Sequence, residues 1–102
     1  GGIKISETSS DLALLASVIS SFRNWVLPHD LVIFGEVGLS GEIRPVPNGQ
    51  ERIKEASKHG FKIAVIPHGN RPSKPIDKSI RTIPVKDLAE VITHLENLSS
   101  PN

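Results

Sequence analysis

Cysteine is absent from the 102 residues. Disulfides, thiol catalysis and cysteine-held zinc or iron–sulfur clusters are therefore excluded for this chain. No apolar run approaches the ~20 residues that a membrane-spanning helix needs. The opening Gly1-Gly2-Ile3-Lys4-Ile5 lacks the charged start and long apolar run of a secretion signal. Aromatic residues make up only 4 %. Phe34 reads as core and Phe61 adjoins a strand, so no platform for stacking bases is expected. The phosphate-loop pattern Gly-x-x-x-x-Gly-Lys-Ser is missing. Gly35-Glu36-Val37-Gly38 follows a strand, but no helix opens after it, so structural glycines are the stronger reading than a dinucleotide site. The four histidines, His29, His59, His68 and His94, show no zinc-like spacing and read as surface residues. These absences leave a soluble, cytoplasmic, single domain with no membrane partner as the expectation.

What is present is a chain able to fold. Hydrophobic residues are 37 % and charged residues 23 %. A disordered chain carries fewer apolar residues and more net charge. The net charge is +1 and says nothing about partners, but its distribution does. Residues 56–86 hold seven basic groups against one acid, Asp77. Residues 1–43 and 87–102 each sum to −3. A basic third thus sits within an acidic remainder.

Ile3 and Ile5 alternate with polar neighbours and predict a short strand. Thr8, Ser9, Ser10 and Asp11 then offer helix caps. Leu12, Leu15, Ala16, Ile19 and Phe22 follow helical spacing, and Leu14 and Val18 extend the apolar arc. A buried central helix over 10–23 is expected. Leu31-Val32-Ile33-Phe34 reads as an interior strand covered on both faces. Gly35, Gly38 and Gly41 predict a kink and a turn near Ser40-Gly41, with Glu42–Val46 returning and ended by Pro45.

Asn48 is the expected N-cap of a helix over 49–59, with Ile53 and Ala56 inward and Gly60 at its left-handed end. Lys62–Ile66 forms the next strand, making residues 42–66 a strand–helix–strand unit. Residues 68–79 read as a long loop, 80–84 as a strand, and Asp87 and Glu90 open a last helix with the stripe Leu88, Val91, Ile92, Leu95 and Leu98. The domain covers 1–98, and 99–102 should fray. Leu14, Leu15, Val18, Ile33, Val65 and Leu95 are the expected core. The fold class is α/β, helices packed on a mixed sheet.

Serine is the available nucleophile. Thr8-Ser9-Ser10 lies where helix N–H groups could hold an oxyanion. Helix capping is the stronger reading of these hydroxyls, and a catalytic serine would need a base that must be found in space.

Two segments carry a family likeness. One is Gly1–Ala13. The other is Phe34-Gly35-Glu36-Val37-Gly38-Leu39-Ser40-Gly41-Glu42-Ile43-Arg44-Pro45-Val46, continued by Gln50-Glu51-Arg52, Gly60-Phe61-Lys62 and Ile66-Pro67. Together they resemble the C-terminal domain of the RadA (Sms) family of bacterial DNA repair and recombination proteins. That domain is similar to the proteolytic domain of Lon, a ribosomal-protein-S5-type fold. The resemblance implies a piece of an ATP-driven branch-migration helicase. A zinc finger and a RecA-like ATPase core precede the domain in such proteins, so ATP, Mg and Zn belong to parts not present here. First strands usual for a Lon-type domain are also missing before Gly1.

Lon-type peptidases use a serine–lysine dyad. By the resemblance, Ser9 (or Ser10) stands near the serine position and Gln50 occupies the lysine position. A glutamine amide takes no proton from a hydroxyl, so no catalytic residue is expected. The implied partners are single-stranded or branched DNA, further copies in a homo-hexamer, and a RecA-type recombinase. The basic stretch assigns DNA contact to Lys58, Lys62, Arg71, Lys74, Lys78 and Arg81. Two alternatives stand beside this reading: a residual serine peptidase, or a scaffold that touches no DNA.

Overall fold

The structure is a computed structural model that describes residues 11–74 and 78–101. The strand expected at Ile3–Ile5 and the hydroxyls of Thr8, Ser9 and Ser10 lie outside the described residues. In order, the elements are α1 (Asp11–Arg23), β1 (Trp25–Val26), β2 (Leu31–Ile33), β3 (Glu36–Val37), β4 (Ile43–Arg44), α2 (Gly49–Lys58), β5 (Ile63–Pro67), a 3₁₀ turn (His68–Asn70), β6 (Arg81–Val85), α3 (Leu88–Leu98) and β7 (Ser100–Pro101). None of the described helices is long and apolar enough to cross a membrane.

The centre is a parallel sheet in the order β2-β5-β6. Two-residue side-chain alternation divides its apolar residues between two faces. Ile33, Val65 and Ile83 share one row of the register. With Leu31 and Val85 they meet Leu12, Ala13 and Ala16 of α1 and Val91 and Leu95 of α3. Ala64 and Ile66 turn the other way, onto Ile53 and Ala56 of α2, with Phe34, Val46 and Ile80. Helices therefore cover both faces, as a parallel sheet requires. The α/β class holds, with both senses of pairing. Parallel pairing is confined to this sheet, and two short antiparallel ribbons, β1-β7 and β3-β4, lie apart from it.

Several expectations change. The arc on α1 is wider than its contact. Leu12 and Ala16 are fully buried, but Leu14 is 50 %, Val18 57 % and Phe22 87 % exposed, and Leu15 is half-buried. Only one face of α1 meets the sheet, and small Ala13 and Ala16 set that close approach. Ile33, Val65 and Leu95 are core as expected. The strand–helix–strand unit is not 42–66. β4 pairs antiparallel with β3, and the parallel partner of β5 is β2. Pro45 ends β4 after two residues, leaving it too short to join the main sheet. β2 is covered on both faces, yet it stands at the edge and β5 in the middle among the described strands.

Asn48 occupies the N-cap position but in the left-handed region, φ 59°, with no side-chain cap. Its carbonyl accepts the Arg52 N–H instead (3.0 Å). The other end of α2 behaves as the sequence reads. Gly60 has φ 88°, and its N–H reaches the Ser57 carbonyl while the Phe61 N–H reaches the Ala56 carbonyl, both 3.1 Å. That pair of bonds closes a helix on a left-handed glycine. Asp87 caps α3 by accepting the Glu90 N–H (2.9 Å). The tail expected to fray is paired as far as Pro101: Ser100 and Pro101 sit opposite Val26 and Trp25.

The glycine-rich run folds into the β3–β4 hairpin. Gly38 N–H donates to the Glu42 carbonyl (2.8 Å) and Gly41 N–H to the Gly38 carbonyl (3.0 Å). The Glu42 carboxylate accepts from Ser40 N–H (3.0 Å) and pairs with Arg44 (2.8 Å). The Arg44 hydrogen bonds hold the Glu42 carboxyl below the ordinary range. Ile43 N–H to the Lys86 carbonyl and Leu88 N–H to the Gly41 carbonyl then dock the hairpin on the link between β6 and α3.

Candidate nucleic-acid interface and the surroundings of Gln50

Parallel strands bring their starts to one edge of a sheet. Lys62 precedes β5 and Arg81 opens β6, and the Arg81 N–H donates to the Lys62 carbonyl (2.8 Å). The hydroxyls of Ser57 and Ser79 meet at 2.8 Å and tie the end of α2 to the approach to β6. Their neighbours Lys58 and Lys78 thus reach the same edge. All four cations are exposed, and none has an ion-pair partner among the described residues. The Asp30 carbonyl accepts the Lys62 N–H (2.9 Å).

Arg71 does not join this group. Arg71 follows the 3₁₀ turn at the far end of β5. Four steps along β5 cover about 13 Å at ~3.3 Å per residue. Lys74 is exposed between the 3₁₀ turn and β6. The basic stretch, continuous in sequence, is therefore divided between two edges of the sheet.

The far edge also carries the position equated with the dyad lysine. Gln50 is exposed in the first turn of α2. It lines a polar cavity of about 340 Å³ with Asn48, Gly49, Glu51, Asn70 and Arg71. The Asn70 amide builds this wall. Its oxygen accepts the Val46 N–H (2.8 Å) and its nitrogen donates to the Val46 carbonyl (2.9 Å). Asn70 is packed so closely on Gly49 that a side chain there would displace it. The start of α1 comes to the same edge, where Leu12 N–H donates to Gly35 carbonyl (3.0 Å) and a Cβ added at Gly35 would meet Pro67. Ser9 lies outside the described residues, so no distance joins it to Gln50.

Sequence reasoning missed one further grouping. His68, Arg71, Lys86, Glu90 and His94 converge on a second cavity, of about 570 Å³. Its residues come from the 3₁₀ turn and from the segment that leads from β6 into α3, and no spacing signals the meeting of these two stretches. Among the described residues no three His, Asp or Glu side chains form a metal-binding group.

Residues 1–70 match the family model described as subunit ChlI of Mg-chelatase. The chain is 61 % identical over 98 residues to the DNA repair protein RadA of Haemophilus influenzae, covering 96 % of this chain and 21 % of that protein. It is 59 % identical over 95 residues to RadA of Pseudomonas aeruginosa, covering 93 % and 21 %. Against RadA of Escherichia coli it is 53 % identical over 98 residues, again 96 % and 21 %. The chain spans about a fifth of the length of these curated relatives. The chain belongs to the family of that model and to the RadA family of DNA repair proteins, of which it represents a segment.

Proposed function

We propose that this segment is a non-catalytic, Lon-like scaffold that binds DNA within a RadA-type, ATP-dependent branch-migration helicase of recombinational repair. The observation that carries the reading is the gathering of Lys58, Lys62, Lys78 and Arg81 at one edge without ion-pair partners among the described residues. Phosphate affinity comes from clustered cations rather than from total charge. The identity to proteins named for DNA repair supports the same setting. Assembly of copies into a ring would multiply these contacts and raise affinity. The ATP, Mg and Zn sites, and contact with a RecA-type recombinase, belong on this reading to the longer cytoplasmic protein.

A lone domain offering a few phosphate contacts should bind oligonucleotides weakly, with Kd of about 10⁻⁴–10⁻⁶ M at physiological salt. Binding should weaken as salt rises. Replacing Lys62, Lys78 and Arg81 together by Ala should lower the slope of log K against log salt by about 2–3. An unchanged slope in the triple variant leaves only the scaffold role.

Gln50 supports the absence of peptidase chemistry, since an amide cannot serve as the base. Casein and fluorogenic-peptide assays are expected to read at background, with Ser9→Ala changing nothing. Serine-dependent turnover above background overturns this part of the reading. Gln50→Lys is not expected to restore cleavage, because a base without a matched oxyanion site and substrate groove leaves the barrier high.

A further inference from the structure

The second cavity stands on residues and an edge different from those of the DNA interface proposed above. It lies between the 3₁₀ turn and α3, about 570 Å³ in volume, with His68, Arg71, Lys86, Glu90 and His94 on its walls. Arg71 is held in place by a bond from its Nη1 to the His68 carbonyl (2.9 Å). A guanidinium has five N–H donors, so most of its hydrogen-bonding capacity is left over. Lys86 is exposed and has no ion-pair partner among the described residues. Glu90 is the one acid on the walls, and one of its carboxylate oxygens is engaged by the Lys86 N–H (2.8 Å). Glu90 thus braces the link into α3 as well as carrying charge.

The local field agrees with this count. Burial, then the charges of Arg71 and Lys86, hold the His68 imidazole below its ordinary range, and Glu90 opposes them only in part. A neutral ring still offers one N–H donor. Cations beside N–H donors in a groove suit a phosphate group, whose oxygens take charge-assisted hydrogen bonds.

The geometry points to a phosphate-binding groove in which Arg71 and Lys86 hold the oxyanion and the rings of His68 and His94 add donors. The ligand class is a phosphate monoester or diester, either a free phosphate compound or the backbone of a nucleic acid.

The test is a titration of the ¹⁵N-labelled 102-residue chain with inorganic phosphate, with chloride adjusted to constant ionic strength. Saturable shifts confined to residues 68–71 and 86–94 are expected. Phosphate should also raise the His68 pKa toward the ordinary value, because a bound anion stabilises the imidazolium. Arg71→Gln with Lys86→Gln should weaken binding by about tenfold or more. Lys86→Gln alone, which leaves the Arg71–His68 bond intact, should give a smaller loss with the spectrum otherwise unchanged.

A parallel oligonucleotide titration separates the two sources. Weaker oligonucleotide binding in the double variant, with phosphate competing, assigns the groove to a nucleic-acid backbone. Unchanged oligonucleotide binding with lost phosphate binding assigns it to a free phosphate compound. Shifts that fail to saturate, spread over all lysines, or persist in the double variant overturn the proposal. The Lys62, Lys78 and Arg81 variant should bind inorganic phosphate normally, so failure of one reading does not carry the other with it.

Discussion

Leu95→Ala is expected to destabilise the chain by about 2–5 kcal/mol, the range for emptying a leucine site that cannot collapse. Leu95 is fully buried on α3, in the cluster with Leu12, Ala16, Val65 and Val91. That cluster joins α1 and α3 to one face of the parallel sheet, so the cavity opens where three elements meet. A domain of this size holds only about 5–15 kcal/mol in all. Urea unfolding at 25 °C should therefore show a large fall in midpoint. The matched comparison is Leu14→Ala on α1. Leu14 is 50 % exposed, and its loss should stay within about 0.5 kcal/mol. Both residues read as core from their spacing, so equal costs would show that the packing described for α1 is wrong.

Gly35→Ala should be costly for two reasons that add. The backbone there has φ +149°, which side-chain-bearing residues rarely adopt. An added methyl would also meet Leu12 Cδ2 at 3.2 Å, Pro67 Cγ at 3.2 Å and Ile43 Cγ2 at 3.3 Å. Backbone strain of ~1–3 kcal/mol and overpacking of ~1–3 kcal/mol predict a total of about 2–6 kcal/mol. Gly60→Ala isolates the first contribution. Gly60 also has a positive φ, +88°, but nothing lies within 4 Å of the added atom. Its cost should be about 1 kcal/mol. Thermal unfolding of the two variants side by side measures the difference. A Gly35→Ala change no more costly than Gly60→Ala would mean that the close approach of α1, β4 and β5 at this point is relieved easily.

Much of the local structure was readable because its causes are local. Helical spacing from Leu12 gave α1, and Asp87 with Glu90 marked the start of α3. Gly60 announced the left-handed end of α2, and Pro45 the end of β4. Gln50 was legible as an amide at the start of α2, and its chemistry needs no fold to state. Asn48 shows the limit even of local rules: its carbonyl, and not its side chain, serves the helix.

Composition and spacing by themselves determined the α/β class, the absence of thiol chemistry, and the basic character of residues 56–86. Each follows from residue types and short-range periodicity. Only the tertiary structure decided which side of α1 is covered, because three of its turns are apolar beyond the width that one sheet face can take. Only it decided that β5 pairs with β2, since backbone hydrogen bonds leave no mark on side-chain pattern. It also separated Lys62 and Arg81 from Arg71. A parallel strand carries the chain from one edge of the sheet to the other within five residues, so cations close in sequence end far apart. The same geometry brought Arg71 to Lys86 and His94, residues that no spacing rule connects.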